Sequence, residues 1–320
     1  MLLGLLLASV LSQAAPAPQT VAYPGPCDAS AAVAIGDGLF LVANDEDNVL
    51  RAYRHGQPAL PVYALDVSAF LAPDPALPEV DLEAAAPVGN RIYWIGSHST
   101  NGKGKARPSR RRFFATDAQV VNDHVTLTPV GQPYRDLIRA FGDTPALRHL
   151  HLATAARIAP ELPGGLNIEG LSATPSGALL IGFRNPVPEG KALLIPLENP
   201  AGVIAGQAAR LGAPIALDLA GRGVRSIEYV AARQEYLIVA GPAGDSGVFG
   251  LYRWSGNPMT APRPVPDTEF TGLQPEALAP DGQGQVWAFS DDGSRLLDDG
   301  KACKDSAPDR QSFRGLSVRF

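Results

Sequence analysis

The sequence predicts an all-β fold, a ring of radial blades, and three observations carry that prediction. A unit recurs in which an acidic residue enters a small apolar strand: Asp81-Leu82-Glu83-Ala84, Asn167-Ile168-Glu169-Gly170, Ser226-Ile227-Glu228-Tyr229 and Gln274-Pro275-Glu276-Ala277. About thirteen residues after each Glu a second apolar strand ends, at Tyr93-Trp94-Ile95-Gly96, Leu180-Ile181-Gly182-Phe183, Leu237-Ile238-Val239-Ala240 and Trp287-Ala288-Phe289-Ser290. A period of roughly 50 residues made only of strand and turn is that of propeller blades. Finally, Gly 33 and Pro 30, spread through 320 residues, suit many short strands joined by tight turns. The fold class is a five-bladed β-propeller, with six blades as the alternative if the segment before Ser30 adds strands.

Residues 1–14 read as a signal peptide. Leu2 to Leu11 is an apolar core too short to span a bilayer, and Ser12-Gln13-Ala14 puts small residues where a signal peptidase reads. Residues 15–320 are then a single exported domain, periplasmic or secreted. A degenerate first blade runs from Ser30-Ala31-Ala32-Val33, through Leu39-Phe40-Leu41-Val42-Ala43 and the turn Asn44 to Asn48, to about Phe70. Blade two starts near Asp81. After its second strand comes a basic loop, Ser97 to Arg112, and then Phe113-Phe114-Ala115. From Tyr134 to Leu162 apolar residues fall at helical spacing, which predicts a helical insertion over about 134–162. The insertion accounts for the 86 residues between Glu83 and Glu169, against 59 and 48 for the next two intervals. Blades three, four and five begin near Asn167, Arg225 and Gln274, and Phe313–Phe320 alternates as a last strand should. Cys27 and Cys303 flank the start and end of this array. In a closed ring those places are neighbours, so a disulfide is predicted, with two unrelated buried thiols as the alternative.

Composition narrows the function. A formal net charge of -5 argues against nucleic acid as a partner. No stretch after the leader reaches 18 apolar residues, so no membrane span is predicted. With 45% apolar and 18% charged residues the chain supports a substantial core, and a monomer is the expected state.

Chemistry concentrates in two places. If the four glutamates lie in first strands, Glu83, Glu169, Glu228 and Glu276 converge on a central channel and repel one another. A hard divalent cation such as Ca²⁺ resolves that conflict; bracing of the blades around backbone amides and water is the other reading. The second place is the loop Ser97 to Arg112, with six basic residues in sixteen. Arg110 and Arg112 share a face if they begin a third strand. With Arg184, Asn185 and Arg225 they make a candidate site for a small anionic molecule. His98, where a strand meets the rim, is the candidate proton shuttle. A solvated loop with a structural histidine is the alternative.

The segments Trp94-Ile95-Gly96-Ser97-His98, Arg110-Arg111-Arg112-Phe113-Phe114-Ala115, Asn167-Ile168-Glu169-Gly170-Leu171 and Gly223 to Tyr229 resemble a family of bacterial exported propellers catalogued as a domain of unknown function. More distantly, the repeated Ile/Leu-Glu-Gly/Ala-Leu pattern is similar to the phytase-like esterase propellers. The resemblance covers about residues 28–320 and implies a propeller and export; it implies no reaction. It departs at Ser30, where an acid stands in the other blades. Two functions follow as expectations: non-catalytic binding of a divalent cation and a small anionic ligand, or a metal-dependent hydrolase of an anionic ester, phosphoester or lactone.

Overall fold

The computed structural model describes residues 20–36, 38–244, 246–266, 268, 270–281 and 284–320. The leader expected at 1–14 lies outside them. Chain order starts with β1 (Thr20–Pro24). A sheet of four follows: β2 (Ala31–Gly36), β3 (Leu39–Ala43), β4 (Val49–Arg54) and β5 (Tyr63–Asp66). The second is β6 (Leu82–Val88), β7 (Arg91–Gly96), β8 (Phe113–Val121) and β9 (His124–Tyr134). The third is β10 (Asn167–Ala173), β11 (Leu179–Asn185), β12 (Ala192–Leu197) and β13 (Ile215–Leu217). The fourth is β14 (Gly223–Val230), β15 (Glu235–Gly241), β16 (Gly250–Trp254) and β17 (Arg263–Pro264). The last sheet is β18 (Pro275–Pro280), β19 (Val286–Ser290) and β20 (Ser312–Val318), with β1 as its outer strand.

Every sheet is antiparallel, and the first four are meanders. The first strands touch in cyclic order, β2 to β6 to β10 to β14 to β18 and back to β2, which closes a five-bladed β-propeller. The strand before Ser30 adds no sixth blade. It pairs antiparallel with β20, Thr20 opposite Leu316 and Pro24 opposite Ser312, so both ends of the described chain share one blade.

Sequence pattern explains why the blades stack. A strand covered on both faces reads as an unbroken apolar run. β3 (Leu-Phe-Leu-Val-Ala) and β19 (Val-Trp-Ala-Phe-Ser) are buried at every position. The outer strand β9 opens in alternation, with Val125 and Leu127 inward and His124, Thr126 and Thr128 exposed. Buried side chains form five clusters, one between each pair of adjacent blades. At the closing seam the cluster is aromatic. Tyr23 stacks on Phe313 at 5.1 Å and Phe40 on Phe289 at 4.5 Å between centroids. Between blades three and four, Val224 leans on bare backbone: a Cβ at Gly182 would meet its Cγ1 at 2.8 Å.

Between β9 and β10 the chain is helical at Leu137–Asp143 and Leu152–Ala155, with a 3₁₀ stretch Pro145–Leu150 between them. Leu137, Phe141, Leu147 and Leu152 are buried in the cluster between blades two and three. Cys27 and Cys303 form the predicted disulfide, with Cα atoms 5.8 Å apart. Among the described residues no helix is long and apolar enough to cross a membrane.

Candidate functional site

Every first strand after β2 carries a bulge at the same place, and the bulged residue is charged. Glu83 falls between the pairs Leu82–Gly96 and Ala84–Ile95. Glu169 falls between Ile168–Phe183 and Gly170–Gly182. Glu276 falls between Pro275–Ser290 and Ala277–Phe289. A bulge leaves one residue unopposed and re-aims its side chain.

In the fourth sheet the bulged residue is Arg225, between Val224–Ala240 and Ser226–Val239. This corrects the equivalence drawn from sequence. Glu228 lies three residues further along β14, in register with Leu237. The ring position therefore holds three glutamates and one arginine. The repulsion foreseen for four carboxylates is relieved from within: Arg225 Nε lies 2.8 Å from Glu169 Oε2, and its Nη2 contacts Glu276. Arg225 is 3% exposed, and burial pulls its pKa down against the opposing pull of Glu169.

A cavity of about 450 Å³ opens at this level. Its walls carry eight carboxylates, Asp45, Glu46, Glu79, Asp81, Glu83, Glu161, Glu169 and Glu276, against the cations Arg107, Arg110, Arg184 and Lys304. Three of those four cations are already engaged. Arg110 pairs with Asp81 at 2.9 Å and with Glu79. Arg184 pairs with Glu169 at 3.1 Å and donates to the carbonyls of Ala243 and Gly244. Lys304 pairs with Glu46 at 2.9 Å. Arg107, also in the lining, makes no ion pair among the described residues and donates only to Ala106 O.

Glu83 is the unbalanced group. It is buried, and among the described residues no hydrogen bond or ion pair holds it. Burial lifts its pKa well above the carboxylate range, with Asp81, Glu169 and Asp45 adding to the rise. Beside it on β10, Asn167 donates Nδ2 to Glu169 Oε1 at 2.8 Å, which leaves the buried Asn167 Oδ1 with no partner.

Of the residues singled out in the sequence, the cavity gathers Glu83, Glu169, Glu276, Arg110 and Arg184. His98 is not among its lining residues. It is fully buried, donates Nδ1 to Gly96 O at 2.8 Å, and is held by burial down to about 4, a neutral ring inside the blade. Arg110 and Arg112 part company. Arg112 donates to the carbonyls of Leu71, Pro108, Arg111 and Ala72 and faces another cavity with Arg111 and Arg135. Their expected common face is absent because a 3₁₀ turn, Pro108–Arg110, ends the loop and the strand starts only at Phe113. Asn185 uses its amide on the carbonyls of Pro160 and Leu162, 2.7 Å each, which ties β11 to the insertion. Glu228, buried and outside the cavity lining, is pushed up to about 8 by burial.

Sequence reasoning missed Arg225 as the ring's counter-charge, although a signal was present. Leu82-Glu83-Ala84, Ile168-Glu169-Gly170, Pro275-Glu276-Ala277 and Val224-Arg225-Ser226 share an order of apolar, charged and small residues.

Residues 144–287 match a family described as a protein of unknown function (DUF3616). No curated protein matches the chain in sequence. Several solved structures are similar in shape. The PQQ-bound aldose sugar dehydrogenase from Streptomyces coelicolor is 11% identical with a TM-score of 0.45, covering 95% of this chain and 100% of that one. The glutaminyl cyclase of Myxococcus xanthus is 14% identical, TM-score 0.41, over 94% and 97% of the two chains. An exo-β-1,3-galactanase from Phanerochaete chrysosporium is 8% identical, TM-score 0.48, over 95% and 64%.

Proposed function

We propose that the protein is an exported binding propeller whose acidic cavity takes a divalent cation together with a small anionic ligand, without converting it. One observation carries this reading: Glu83 is a buried carboxyl facing a polar cavity, and among the described residues no hydrogen bond or ion pair holds it. Oxygen donors without partners favour a hard cation, and Asn167 Oδ1 supplies a second one. Arg107, unpaired in the cavity lining, is the group for the anionic end of the ligand. Export is supported by the Cys27–Cys303 bridge, which fits an oxidising compartment.

The test is thermal. Chelator-stripped protein is titrated with Ca²⁺, Mg²⁺ and Mn²⁺. Binding to the native state alone raises the melting temperature with concentration. Glu83→Gln is expected to reduce that rise, and an equal rise in Glu83→Gln sinks the reading.

Hydrolysis of an anionic ester, phosphoester or lactone has one observation in its favour. Burial, then Asp81 and Glu169, lifts Glu83 toward its protonated form in a polar cavity, which suits a general acid. Turnover of any member of an ester, phosphoester and lactone panel, lost in Glu83→Gln with ligand affinity retained, would replace the binding role with this one.

A further inference from the structure

A second acidic cluster lies where the ring closes. Asp28, in the link from β1 to β2, and Asp45 and Glu46, in the β3–β4 turn, each bring one carboxylate oxygen within 4.8 Å of the others. Asp28 is 3% exposed, and its Oδ1 has no hydrogen-bond partner. That oxygen rests where only glycine leaves room: a Cβ on Gly293 would come to 2.2 Å from it. Lys304 reaches Glu46 at 2.9 Å from a half-exposed position and pairs with neither aspartate. One buried, one half-buried and one exposed carboxylate at this spacing make a poor hydrogen-bonding set, because all are acceptors when ionised. They remain together by keeping protons or by taking a cation.

We propose that Asp28, Asp45 and Glu46 hold a hard divalent cation of the Ca²⁺ type at the closing seam, as a site separate from Glu83. The donor set is all oxygen and the geometry is contributed by two loops, which suits the flexible coordination of Ca²⁺ better than the strict octahedron of Mg²⁺. Its position ties together elements remote in sequence. Asp28 follows Cys27, Lys304 follows Cys303, and Asp292 N donates to Cys27 O at 3.0 Å. The ion therefore joins two loops of the first blade, the link before β2 and the β3–β4 turn, beside the bridge that ties this blade to the segment before β20. Asp45 and Glu46 also face the 450 Å³ cavity, so the ion sits in its wall. This site does not rest on the cation proposed at Glu83.

Equilibrium dialysis with Ca²⁺ alone, on chelator-stripped oxidised protein, separates the two sites. Asp28→Asn is expected to weaken one bound ion at least tenfold, while Glu83→Gln leaves that ion in place. Lys304→Met, which removes a competing cation at the surface, is expected to tighten it. Equal Ca²⁺ affinity in wild type and Asp28→Asn, or no Ca²⁺ bound by wild type, overturns the proposal. If Asp28→Asn does not fold, Lys304→Met decides: tighter binding supports the site and unchanged affinity overturns it. If wild type and Glu83→Gln bind the same number of ions, the cavity reading fails and the seam site stands.

Discussion

Glu228→Gln should stabilise this protein, and by an amount that depends on pH. Glu228 is 6% exposed on β14, and among the described residues nothing donates to it or pairs with it. Burial moves its carboxyl from 4.5 to about 8. Below pH 4.5 both folded and unfolded chains hold the proton, and the group costs nothing by this route. As the pH rises the unfolded chain ionises first, so stability is lost progressively until the folded carboxyl also ionises near pH 8. At 1.36 kcal/mol per pH unit the loss is about 3 kcal/mol at pH 7 and about 5 kcal/mol above pH 8. Glutamine keeps the shape and cannot ionise. Urea unfolding followed by tryptophan fluorescence, with the disulfide intact, measures both proteins from pH 4 to pH 8. The variant is expected to match wild type at pH 4 and to exceed it by about 3 kcal/mol at pH 7. A difference that does not change with pH, or a variant less stable at pH 7, would refute the account of Glu228 as an isolated buried acid.

Arg225→Met leaves Glu169 and Glu276 without the cation between them, and removing one partner of a buried ion pair costs about 3–5 kcal/mol; an unchanged unfolding midpoint would show that the ring does not depend on it. Reduction of Cys27–Cys303, which closes a loop of sequence separation 276, is expected to lower stability by about 5 kcal/mol on the chain-entropy account. Intact mass of oxidised and alkylated protein checks the bridge, and two alkylatable thiols in the untreated protein would deny it. His98, held down to about 4 from 6.5, adds stability that is whole above pH 6.5 and is lost as the pH falls toward 4. The loss reaches about 3 kcal/mol, and His98→Gln should flatten that acid limb. Ring protons of His98 titrating above pH 6 would contradict it.

The blades were legible because stacking buries both faces of each second strand, and strands such as Leu39–Ala43 announce this as unbroken apolar runs. The bridge was legible for a topological reason: a ring makes the ends of the array adjacent. The site was legible only in part. Glu83, Glu169 and Glu276 stand where their motif puts them, but Ile227-Glu228 repeats the motif three residues out of phase with the bulge. A bulge inserts one residue into a strand, so period-two reasoning loses count there. The basic loop misled through charge density. Arg112 spends its charge on backbone carbonyls and Arg110 on Asp81 and Glu79, partners that no local spacing reveals. The seam cluster draws Asp28, Asp45 and Glu46 from two loops that the β2–β3 pairing, Ala31 opposite Ala43, sets side by side.

The pairing of β1 with β20 also sets a schedule. Thr20–Pro24 finds its partner only when Ser312–Leu316 has been made, nearly the whole chain later. At about 5–20 residues per second, synthesis leaves that first strand without its mate for on the order of 15–60 s. Throughout that interval Tyr23 lacks Phe313 and Phe289, and the first blade presents Phe40 and Tyr53 to whatever is nearby. A truncated product would keep that aromatic face open indefinitely, so quality control has a single marker of incomplete manufacture to recognise.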